Sequence, residues 1–119
     1  MSKIHDAVAD LHQLPGVKGV ALITNDGLVV ASSLHESQQA EVISGLTSYL
    51  LMTTQRCLEE GGLGKATQYV VTATHGKAIV VGIEDSSLVV MLDQFADLAR
   101  ARREATDAAQ RIRRASRLA

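Results

Sequence analysis

Four histidines, one cysteine and a glycine-rich stretch ending in lysine are the residues whose chemistry could go beyond packing. Histidine and cysteine can ligate metals or serve in nucleophilic catalysis. Glycines ahead of a lysine can cradle a phosphate. None of these completes a site. His5, His12, His35 and His75 have no His, Cys or carboxylate partner at metal-ligand spacing on one element, and each reads as a surface residue. Cys57 falls on the expected core face of a helix, and no base can be paired with it. In Gly61-Gly62-Leu63-Gly64-Lys65, a phosphate loop would need glycine where Glu59 stands and Ser or Thr where Ala66 stands. The stretch also leads from a helix to a strand, the reverse of a phosphate loop. It reads as a helix stop. The expectation is no catalytic residue, no metal and no organic cofactor.

Charge is the stronger signal. From Phe95 onward the chain carries Arg100, Arg102, Arg103, Arg111, Arg113, Arg114 and Arg117 against Asp97, Glu104 and Asp107, a balance of +4. The preceding 94 residues balance at −5, so the net −1 hides an acidic body and a basic tail. Such asymmetry points to a partner surface rather than to a reaction. The arginines have three readings. They can be a solvated face with ion pairs along the helix. They can meet an acidic protein surface, in which case Arg111, Arg113, Arg114 and Arg117 are the candidate partner-binding residues. Nucleic acid is the least favoured: the chain is acidic overall, with pI about 6.4, and no aromatic side chains interleave the arginines to stack bases.

The elements that must position these residues follow from turn signals and periodicity. With 119 residues, 46% of them hydrophobic, the chain suffices for one domain, read as residues 1–119. Its core must come from Val, Leu, Ile and Ala, because only Tyr49, Tyr69 and Phe95 are aromatic. Ser2 can cap a helix ending near Gln13, and Pro15-Gly16 breaks it. Val17–Thr24 and Leu28–Ser32 flank Asn25-Asp26-Gly27, a hairpin turn. Ser33-x-x-Glu36 or Ser37 can cap a long helix that stops at Gly61-Gly62. Strands Thr67–Thr74, Lys77–Ile83 and Leu88–Leu92 follow, then a helix from about Gln94. The order α-β-β-α-β-β-β-α, with successive hairpin turns, predicts an α+β fold. Its sheet has five antiparallel strands, with the long middle helix on one face and the terminal helices on the other. No stretch approaches the roughly 20 apolar residues of a membrane span, and the charged N-terminus is no signal peptide. Together with the single cysteine, this reads as a soluble cytoplasmic protein without membrane insertion.

The middle helix is apolar over about 200°, twice what one sheet requires. Val42, Ile43, Leu46, Tyr49, Leu50, Thr53 and Cys57 share one face, with Ala40, Thr47, Leu51, Thr54 and Leu58 beside them. Ser44, Ser48, Gln55 and Glu59 fill the remainder. Either the other helices cover the second flank, or a second copy of the chain does. The second reading makes Ala40, Thr47, Leu51, Thr54 and Leu58, with Tyr69 and Val71 of the following strand, a dimer interface.

Leu14-Pro15-Gly16-Val17-x-Gly19-Val20, then Thr24-Asn25-Asp26-Gly27-Leu28-Val29-Val30-Ala31-Ser32, then the long helix and Gly61–Lys65 resemble the Roadblock/dynein light chain family, particularly its small bacterial members. The resemblance reaches about Leu98; the arginine-rich extension has no counterpart in it. It implies homo- or heterodimers joined through the long helix and the strand after it, with a continuous sheet. It also implies proteins that are not enzymes and that in bacteria typically act with Ras-like small GTPases, as activators of hydrolysis or as scaffolds. The leading expectation is a dimeric regulator or scaffold for such a GTPase. The alternatives are a homodimeric structural adaptor without a GTPase partner, and a small-molecule sensory domain.

Overall fold

The computed structural model describes residues 2–35 and 38–118, and leaves aside the side chains of Arg117 and Leu118. Helix α1 (Lys3–His12) starts where Ser2 Oγ accepts from the amides of Ile4 and His5, satisfying donors that the first turn would otherwise leave open. Strands β1 (Val17–Thr24) and β2 (Val29–Leu34) form the first hairpin. Its turn is fastened by Thr24 Oγ1, which donates to Asp26 Oδ1 and accepts from the Leu28 amide, while Gly27 takes a φ of 90°.

Helix α2 (Ala40–Glu60) follows, then β3 (Gln68–Ala73), β4 (Gly76–Ile83), β5 (Ser86–Asp93) and α3 (Leu98–Leu118). The five strands pair antiparallel in the order β2-β1-β5-β4-β3, which leaves β2 and β3 as the edges. The α-β-β-α-β-β-β-α order is the expected one.

Two boundaries differ from expectation. Ser33 lies inside β2, where its Oγ is 2.5 Å from His12 Nδ1, so it caps nothing. The rival cap Ser37 and the box residue Glu36 lie outside the described residues. Helix α2 instead starts after Gln39, without a side-chain cap bond. Helix α3 starts at Leu98 rather than near Gln94. Asp93 Oδ1 accepts from the Phe95 amide and turns the chain, and Asp97 Oδ1 then accepts from the Arg100 amide and opens the helix.

The two faces of the sheet are unequal. On one, α1 and α3 enclose the main core, built from Val8, Leu11, Leu22, Ile79, Leu88, Val90, Ile112 and four alanines of α3, Ala101, Ala105, Ala108 and Ala109. On the other, α2 covers a small cluster, Ala21, Ile23, Val80 and Val89, with Leu51 and Tyr69 half-buried against it.

The junction between α1 and β1 is tight. Gly16 has a φ of 86°, and a Cβ there would sit 2.6 Å from that of Ala96. Gly16→Ala is therefore expected to cost at least about 2 kcal/mol, from the left-handed backbone and the overlap together. A thermal melt within a degree of the unmodified protein would contradict this.

Candidate functional site

Helix α2 is fastened to the sheet by polar groups. Ser44 Oγ donates to the Gly27 carbonyl at 2.5 Å, and Ser48 Oγ donates to the Asn25 carbonyl at 3.0 Å. One turn apart on the helix, the two hydroxyls satisfy carbonyls of the β1–β2 turn. Farther on, Gln55 clasps the loop into β3: its Nε2 donates to Gly64 O at 3.2 Å and its Oε1 accepts from the Ala66 amide at 3.0 Å. Ser44 is the one fully buried residue of α2.

This orientation corrects the expected assignment of helix faces. Ser44, Ser48 and Gln55, expected on the solvent arc, face the protein. Val42, Leu46, Tyr49 and Leu50, expected to face the core, point outward; Leu46 and Tyr49 are each 68% exposed. Cys57 is exposed as well, not on a core face. Ala40, Thr47, Leu51, Thr54 and Leu58 are half-buried, and Leu51 packs against Ala21, Ile23, Val80 and Val89. Periodicity finds the most apolar stripe but cannot say whether the chain itself covers it. The one sequence feature that matches this orientation is the serine pair at i and i+4, and nothing local in the sequence places it opposite the carbonyls of Gly27 and Asn25.

Strand β3 adds a second unpartnered feature. It pairs with β4 along one side only, so its other backbone edge is open. Val70 and Val71 are both exposed although they project to opposite faces. Tyr69 is half-buried against Val80, and burial raises its phenol above the usual value. A hollow of about 550 Å³ opens beside α2, lined by Leu51, Met52, Gln55, Tyr69, Val80 and Arg113 among others.

The four arginines expected to bind a partner do not act as one group. Arg111 Nη2 lies 3.3 Å from Asp10 Oδ2 of α1, and Arg113 Nε lies 4.0 Å from Glu84 Oε1 of the β4–β5 turn. Both reach the protein's own acidic body. Arg114 is exposed, and the side chain of Arg117 lies outside the described residues. Among the described residues, no three His, Cys, Asp or Glu side chains are grouped so as to hold a metal, and no helix is long and apolar enough to cross a membrane.

The comparisons with known proteins agree with this architecture. An uncharacterised protein of Methanocaldococcus jannaschii is 31% identical over 110 residues, covering 92% of this chain and 96% of the relative. The crystal structure of a Roadblock/LC7 domain from Streptomyces avermitilis superposes with a TM-score of 0.85 at 21% identity, covering 92% of this chain and 94% of the other. MglB of Myxococcus xanthus superposes with a TM-score of 0.89 at 16% identity, covering 94% and 86%. The sequence model of the Roadblock/LC7 domain matches residues 3–93, from α1 to the end of β5, and the chain belongs to the Roadblock/LC7 family.

Proposed function

We propose that the chain acts as a non-enzymatic dimer that binds a Ras-like small GTPase and modulates its nucleotide cycle. The observation that carries this reading is the outward apolar arc of α2, Val42, Leu46, Tyr49 and Leu50, on the same molecule as the open β3 edge. Large apolar side chains left in water on a helix of this length mark an interface. An open edge in a protein that stays dispersed is normally blunted, covered or paired. A second copy meets both needs at once, helix against helix and β3 against β3. Fully burying one such side chain contributes roughly 1.5–3 kcal/mol, and a two-fold axis doubles every contribution. That sum is of the size needed to offset the loss of freedom on association. The interface so proposed takes Tyr69 and Val71 from the expected set and replaces the Leu51 flank by the outward arc.

The GTPase partner comes from family membership, because bacterial Roadblock proteins typically act with Ras-like GTPases. The direct test uses purified Ras-like GTPases from the same organism, loaded with GTP and followed in single turnover. At least one should bind the dimer and show hydrolysis or nucleotide release changed by about tenfold, some 1.4 kcal/mol in the barrier. Absence of binding and of any rate change across them would leave the adaptor reading. The hollow beside α2 favours a small-molecule sensory role as a second reading, since its volume falls in the range of ligand sites.

A further inference from the structure

The arginines of α3 not spent on the body form a ridge. At about 100° per residue, Arg100, Arg103 and Arg114 fall within an arc of about 60° along the helix, opposite buried Ala101, Ala105, Ala108 and Ile112. All three are exposed, and the ridge runs about 21 Å at the usual helical rise. Arg102 and Arg111, on the two flanks, donate to Gln68 and Asp10. With these flanking residues counted, five arginines stand against three acidic groups around the ridge: Asp107 within it, Glu104 beside Arg111, and Asp97 at the helix start. On α1, Asp6 and Asp10 oppose Lys3.

The opposite side of the sheet has the other sign. Helix α2 carries Glu41, Glu59 and Glu60 against Arg56. The molecule is therefore polarised across its sheet, basic over α1 and α3 and acidic over α2. At the start of the ridge stands Phe95, 87% exposed, which lines the same shallow hollow as Arg100.

We infer that the α3 ridge, with Phe95 at its end, is a docking surface for an anionic lipid membrane. Every cation of α3 is arginine, whose planar fork matches phosphate oxygens in pairs. A straight basic helix lying flat, with an aromatic side chain to enter the headgroup boundary, suits an extended anionic plane. The acidic opposite face orients the protein with α3 toward that plane. A polynucleotide fits less well: no aromatic residue interleaves the arginines. Pairing through α2 and β3, as proposed above, would set two ridges on the same side, but a single copy already carries the surface.

The test is co-sedimentation of the full chain with vesicles of phosphatidylcholine alone, or with about a third phosphatidylglycerol, at low salt and again at 1 M salt. Binding should occur only to the anionic vesicles and disappear at 1 M, where the Debye length falls to about 3 Å. Each arginine near such a surface contributes about fivefold in affinity, so the Arg100→Gln, Arg103→Gln, Arg114→Gln triple variant should bind roughly a hundredfold more weakly. Phe95→Ser should weaken binding while keeping its salt dependence. Circular dichroism checks that both variants stay folded. No binding to anionic vesicles at low salt, equal binding by the triple variant, or binding to duplex DNA in place of vesicles would each overturn the assignment.

Discussion

Leu46→Arg is expected to give a folded monomer. Leu46 is 68% exposed in the single copy, so arginine there meets water and leaves the fold unchanged. In the proposed dimer the same position faces the partner helix. Burying an unpaired guanidinium costs several kcal/mol, and the two-fold axis imposes the cost twice. The dissociation constant should rise by roughly a thousandfold, about 4 kcal/mol, with the far-ultraviolet circular dichroism retained. Leu51→Arg is the contrasting variant. Leu51 packs against Ala21, Ile23, Val80 and Val89, so arginine there should loosen α2 from the sheet and lower stability. A folded Leu46→Arg dimer would show that this arc is not the interface.

The second large effect is in the main core. Ile112 is 1% exposed and, among the described side chains, is the one large one that α3 buries in its second half, where its neighbours on that face are Ala105, Ala108 and Ala109. Alanines let the helix approach α1 and the sheet closely, and leave Ile112 to fill the remaining space. Ile112→Ala should cost about 3–4 kcal/mol, from lost transfer energy and the cavity left behind. For a domain whose whole stability is of order 5–15 kcal/mol, that is a large share. Chemical denaturation should show the midpoint shift with little change in slope. A loss under about 1 kcal/mol would mean that α3 is docked by its ion pairs to Asp10 and Glu84 instead.

The fold was legible because its signals are local. Ser2 caps the first helix, Pro15-Gly16 and Asn25-Asp26-Gly27 turn the chain, and the strands are rich in valine and isoleucine; the Asp97 cap, which moves the start of α3 from near Gln94 to Leu98, was not read. The rotation of α2 was not legible, and the reason is physical. Apolar periodicity reports which face wants to leave water, and the most apolar face of α2 finds no cover within its own chain. Ser44 and Ser48 turn inward because the carbonyls of Gly27 and Asn25 need donors. That demand arises only when hairpin and helix meet. Likewise, the arginine count was plain, but its division was not. Arg111 and Arg113 engage the body while Arg100, Arg103 and Arg114 face water, a split set by the helix's rotation against α1 and β4.

The most direct check on the proposed pairing is the mass of the unmodified protein in solution, by sedimentation equilibrium at micromolar concentration. Pairing through α2 and β3 predicts twice the chain mass of 12.7 kDa, falling to the single-chain value for Leu46→Arg. A single-chain mass for the unmodified protein would contradict it.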